Sequence, residues 1–173
     1  MKKLMFLIPV IGIALAVHGQ DGGDKSKRAS PPAKASETTN DGVMITIDYS
    51  QPSVKGRSIG KDLEPLPGKV WRTGANEATV FEVNKDVKVD GKPLPAGKYG
   101  LFTIANGDDW TIIFNKTWKQ WGAFTYKDAD DVLRVNAKGK KAPSFNEKFT
   151  INVAKDGKVS LLWGDKMVDF WIK

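Results

Sequence analysis

The sequence reads as an all-β protein, an antiparallel β-sandwich of about nine short strands. Three observations predict it. Apolar and polar residues alternate with a period of two, most cleanly where Val43, Ile45, Ile47 and Tyr49 interleave with Met44, Thr46 and Asp48. Turn dipeptides recur at short intervals, among them Asp156-Gly157 and Gly164-Asp165, which supply the positive φ angles of two-residue hairpins. No segment holds a helical period beyond a single turn near Tyr126 to Asp131.

The chain opens on a different kind of segment. Lys2 and Lys3 precede an apolar run from Leu4 to Val17, and Val17-His18-Gly19 places small or tolerated residues before Gln20. This is the pattern of an export signal over residues 1–19, cleaved after Gly19. The run is shorter than the ~20 residues a membrane-spanning helix needs, so an uncleaved anchor is the weaker alternative and no span is expected after cleavage. A lipid anchor would need a cysteine, and there is none. The product is therefore expected in a periplasm or outside the cell, where its stability must come from its core and not from disulfides.

Gln20 to Asn40 carries hardly an apolar side chain larger than Ala and includes Pro31-Pro32. Such a composition offsets little chain entropy, so residues 20–40 are expected to be a disordered linker and residues 41–173 the single folded domain. Within that domain Val43–Tyr49 is the first strand, and a long loop region follows it from Ser50 to Asn76. Further strands are expected at 78–84, 86–89, 98–105, 110–115, 132–137, 147–154, 158–163 and 166–172. Pro93 and Pro95 mark an edge or an irregular connection. Residues 99–104 and 110–114 carry large side chains on both faces, which means cover on both sides or a second face that meets a ligand; burial is the simpler account.

Composition excludes several chemistries. With no cysteine, and with the only histidine, His18, inside the signal, the mature chain lacks the usual neutral-pH proton shuttle, thiolate nucleophile and soft metal ligands. No cofactor and no metal are expected. Asp128-Ala129-Asp130-Asp131 lacks the glycine and terminal Glu of a calcium loop and reads as a solvated turn. The net charge of +7 falls to +5 once Lys2 and Lys3 are removed, and residues 41–173 alone carry +4 with acids interspersed. The one basic cluster, Lys138 to Lys141, reads as a loop, so nucleic acid is not an expected partner. A monomer is expected.

Candidate binding residues concentrate in two places. Trp71, Arg72, Asn76 and Glu77, with Arg57 upstream, combine an aromatic face, guanidinium forks, an amide and a carboxylate, groups that grip sugars, peptides or carboxylates. The same residues would equally serve a loop that covers the core, with Arg72 paired to Glu77 and Trp71 as a plug. Trp118 and Trp121 flank Lys119-Gln120 as a second aromatic platform. Catalysis would have to run on carboxylates such as Glu77, Asp165 and Asp169, and an adjacent Arg would hold Glu77 ionised.

Four stretches carry a recognisable resemblance. Asp48 to Arg57, Lys69 to Thr79, Leu94 to Ile104 and Trp110 to Gly122 resemble a bacterial exported family known only as domain of unknown function family 2911. The resemblance covers residues 41–173, and it implies a Gram-negative envelope of the Bacteroidetes type but no activity. The chain departs from that pattern at Gln51, where the family usually has Arg, and in the loop from Ser58 to Gly68, where it usually has aromatic residues. The reading that results is an exported, non-catalytic binding module for a glycan, peptide or envelope protein. The alternatives are a carboxylate/Arg hydrolase and a purely structural envelope domain.

Overall fold

The computed structural model describes residues 24–173, so the expected signal over 1–19 and its cleavage point lie outside the described residues. Ten strands follow in order: β1 (Pro32–Thr38), β2 (Met44–Ser50), β3 (Val70–Trp71), β4 (Thr79–Val83), β5 (Val87–Val89), β6 (Lys92–Leu94), β7 (Gly97–Asn106), β8 (Asp109–Asn115), β9 (Asp131–Val153) and β10 (Lys158–Trp171). The main sheet runs β1-β2-β4-β7-β8-β9-β10, with β3 continuing the edge of β7 beyond β4, while β5 and β6 form a separate ribbon. Every pairing between these strands is antiparallel.

The sheet curls until its ends meet. Beyond β2, Val54 N donates to Glu147 O at 2.8 Å and Phe149 N donates to Pro52 O at 2.9 Å, joining the first part of the sheet to the second half of β9. The expected hairpin at Asp156-Gly157 joins β9 to β10, but the one expected at Gly164-Asp165 is absent. β10 only bends there, at a bulge, and stays paired to β9 from Val159↔Val153 to Val168↔Gly139. The strands expected at 132–137 and 147–154 and at 158–163 and 166–172 therefore merge into two long ones, with Ile172 N reaching Gly157 O at 2.9 Å. Both halves pack over one core, a sandwich-like all-β fold. Its aromatic centre is an edge-to-face cluster in which the Phe149 ring meets Tyr49, Trp71 and Trp163 at centroid distances of 5.7, 5.0 and 6.0 Å.

Three further expectations change. Residues 20–40 are not wholly a linker, because β1 pairs residue by residue with β2 from Pro32↔Ser50 to Thr38↔Met44. Only Ala35 in β1 is buried, so no hydrophobic pattern announces it; what holds it is backbone pairing to an edge. The long loop region therefore follows the second strand. Lys138 to Lys141 lies within β9 and not in a loop, and Lys140 Nζ sits 2.7 Å from the Asp169 carboxylate. A chain that starts at residue 41 is expected to be about 2–4 kcal/mol less stable than one that starts at residue 24, measured by urea midpoint, since it loses all of these cross-strand pairs. Equal midpoints would show that β1 adds nothing.

The two-faced strands are covered on both sides. Phe102 and Ile113 point away from the main core and are capped by Ala123 and Tyr126 of the loop after β8, with the Tyr126 ring 5.0 Å from Phe102. Asp130 and Asp131 hold this loop down: Thr117 Oγ1 donates to Asp130 at 2.8 Å, and Tyr126 Oη donates to Asp131 at 2.6 Å. The acidic cluster is thus engaged in fastening the loop, with Asp128–Asp130 forming the expected single turn.

Candidate functional site

The segment from Trp71 to Ala78 turns sharply because its backbone enters the left-handed region at Thr73 (φ 54°) and Asn76 (φ 57°). Gly74 fits between them where a Cβ would lie 2.9 Å from Ser50 O. Thr79 Oγ1 donates to Thr73 O at 2.6 Å and Trp71 Nε1 donates to Gly74 O at 2.9 Å, so the turn satisfies its own polar groups. Alternating side chains then separate the candidates. Trp71 points into the core and is 1 % exposed, whereas Arg72 points out.

Arg72 does not pair with Glu77. Its Nη1 donates to Glu64 Oε2 at 2.8 Å, and its Nε is buried with no hydrogen-bond partner among the described residues. Arg57 approaches from the long loop, where its Nε and Nη2 donate to Val54 O and Ser53 O at 3.1 and 2.8 Å. Arg57 and Arg72 line one cleft of about 310 Å³ together with Asp62, Glu64, Trp163 and an edge of Trp71. Trp163 Nε1 donates to Glu64 O at 2.8 Å, tying the long loop to β10. Asp62, also in the lining, accepts from Ser58 N at 3.0 Å.

Residues 30–172, which hold every wall of this cleft, match a family described as protein of unknown function (DUF2911). The chain belongs to that family. The match begins at Ser30, so the family domain includes β1 and the residues that lead into it. No curated protein and no solved structure matches the chain. In this family member the loop from Ser58 to Gly68 supplies Asp62 and Glu64 to the cleft.

Asn76 and Glu77 face away from the cleft toward the N-terminal strap. Asn76 Nδ2 donates to Ser30 O at 2.9 Å. Arg28 Nη1 reaches both Glu77 oxygens at 2.9 Å, and Lys25 Nζ adds a third contact at 3.0 Å. Burial pushes the Glu77 pKa up, but the hydrogen bond from Arg28, that of its own backbone and the Lys25 ammonium outweigh it and hold the carboxyl at about 2. Glu77 is accordingly an ionised anchor, poor both as an acid and as a base near neutrality. The cations responsible are Arg28 and Lys25, 49 and 52 residues away, and not the neighbouring Arg72.

Trp121 and Trp118 do not form one platform. Arg28 lies 5.8 Å from the Trp121 ring and Lys98 lies 5.5 Å from that of Trp118. Trp121 is 54 % exposed, more so than Trp171 at 39 %, and neighbouring Phe124 reaches 84 %. Of the other carboxylates considered for catalysis, Asp169 is engaged by Lys140 and Asp165 sits at the bulge of β10. Sequence reading missed Arg28, Asp62 and Glu64, because nothing local marks a charge whose partner is brought to it by a curling sheet.

The pH dependence of Glu77 follows from its lowered pKa. A carboxyl depressed from 4.5 to about 2 contributes stability that is complete above 4.5 and is lost as pH falls toward 2. The side chain is 36 % exposed, so solvent screening reduces the contribution to roughly 1 kcal/mol or less. Melts between pH 5 and pH 2 should therefore show the wild type losing about 1 kcal/mol more than Glu77→Gln. Parallel loss in both would mean that the Arg28 pair adds no stability.

Proposed function

We propose that this chain is an exported, non-catalytic binding module of the bacterial envelope, with its ligand seated in the cleft between Arg57 and Arg72. The observation that carries this reading is that two guanidinium groups, two carboxylates and tryptophan surface converge on one concavity of ligand size. A purely structural loop would have its polar groups saturated against each other, and Arg72 Nε is not. The hydrolase alternative is disfavoured by Glu77, which is ionised and lies outside the cleft.

Export is supported by Lys2, Lys3 and the apolar run that follows, and fractionation of cells with an antibody to the chain tests it. A glycan and peptide array on the purified protein tests binding, with signals expected to fall in an Arg57→Ala variant. Screens with ester, glycoside and phosphate substrates should find no turnover. Activity that survives purification to homogeneity and vanishes in Glu77→Gln would promote the hydrolase instead. A second reading, an envelope protein as ligand, is favoured by the exposure of Trp121 and Phe124 on a loop that is itself firmly fastened.

A further inference from the structure

We infer that the cleft takes a small ligand bearing a carboxylate next to an ammonium or hydroxyl donor, an inference that rests on the binding reading above. The carboxylate is received by Arg72 and Arg57, and the donor by Asp62 or Glu64.

The strongest observation is the orphaned Nε of Arg72. A buried N–H without an acceptor costs about 1–3 kcal/mol, and such groups are few in folded proteins. Among the described residues Trp110 Nε1 and Asp169 Oδ1 are also unpartnered, but Arg72 is the one that shares a cleft with a second guanidinium. The guanidinium is not free to turn away from this deficit. Nη1 is held by Glu64, and the backbone of Arg72 is fixed by the buried Trp71 before it and by Thr79 N, which donates to Arg72 O at 3.2 Å. Arg57 is oriented in the same way, by two bonds to backbone carbonyls that leave Nη1 uncommitted among the described residues. Two preset guanidinium forks on one cleft suit an oxyanion.

Charge narrows the class. The cleft holds two cations, Arg57 and Arg72, and two anions, Asp62 and Glu64, so it is balanced overall and polar within. A phosphate dianion would bring excess negative charge beside both carboxylates. A monoanionic carboxylate with its own donor instead places each charge opposite its complement, and no carboxylate is left facing an anion. Size agrees: about 310 Å³ is at the small end of ligand sites, and Trp163 and Pro52 add apolar atoms to its lining. Free amino acids, peptide ends and hydroxy acids share this chemistry.

Isothermal titration of the full chain with glycylglycine, lactate, acetate, inorganic phosphate and glucose tests it. Glycylglycine or lactate should bind saturably and at least about 10-fold more tightly than acetate, the better of the two telling an ammonium from a hydroxyl partner. Arg72→Lys should weaken that binding about 10-fold or more, because it removes the Nε–H while keeping the charge. Arg57→Ala, at an exposed position where folding is little at risk, should weaken it too. Acetate or phosphate binding as tightly as glycylglycine would overturn the assignment. Glucose binding alone, or array ligands without a carboxylate that are lost in Arg57→Ala, would overturn it as well while leaving the cleft as a binding site. No binding by any of these probes or by the arrays would sink both.

Discussion

Trp71→Ala is expected to destabilise the protein by about 3–5 kcal/mol, the range for emptying a fully buried large aromatic site. Trp71 is 1 % exposed, packs edge-on against Phe149 at 5.0 Å and uses its indole N–H to hold the Gly74 carbonyl. Its loss opens a void at the meeting point of β3, β7 and β9, and it unties the turn that presents Arg72. A urea melt should show the midpoint fall sharply. Trp121→Ala is the control: that ring is 54 % exposed, and its removal should change stability by about 0.5 kcal/mol or less. Equal effects of the two substitutions would mean that the core is not packed as described.

Gly157→Ala is expected to be nearly as damaging, for a backbone reason. Gly157 has a φ of 83°, and a Cβ there would stand 1.9 Å from the Ile172 carbonyl oxygen. The close approach exists because Ile172 N donates to Gly157 O at 2.9 Å, closing the far end of the bent β10 against the turn that joins β9 to β10. Alanine must both hold a left-handed conformation, at about 1–2 kcal/mol, and push the final strand segment away. Gly107→Ala separates the two costs, since Gly107 has a φ of 62° and a Cβ added there would meet nothing within 4 Å. Gly107→Ala should carry only the conformational penalty, and Gly157→Ala at least about 2 kcal/mol more, with faster amide exchange at Ile172. Similar losses would refute the tight closure.

Most of the strands were legible in the sequence. β2, β4, β7 and β8 fall within a residue or two of their expected bounds, because alternation and turn dipeptides are local signals that survive in any all-β fold. The hairpin at Asp156-Gly157 followed for the same reason, whereas Gly164, expected in a second turn, sits in a bulge of one long strand, because positive φ serves a bulge as well as a turn. β1 was not legible: Pro32-Ala33-Lys34-Ala35-Ser36-Glu37-Thr38 has the composition of a linker, and it is a strand only because β2 offers it an edge.

The site divides along the same line. Composition pointed to Arg, Trp and carboxylates as the candidate groups, since histidine is confined to residue 18 and cysteine is absent, and the long turn-rich stretch from Ser50 to Asn76 pointed to where they would gather. Which groups meet was settled by the folded sheet. Trp71 went to the core and Arg72 to the cleft by strand alternation, Glu64 displaced Glu77 as the partner of Arg72 across 8 residues, and Arg28 claimed Glu77 across 49. Trp163, 99 residues from Glu64, fastened the cleft wall to β10. Periodicity reports a residue's face within its own strand, but the pairing of charges is set by how far a sheet curls, a property of the whole set of strands and of no single segment.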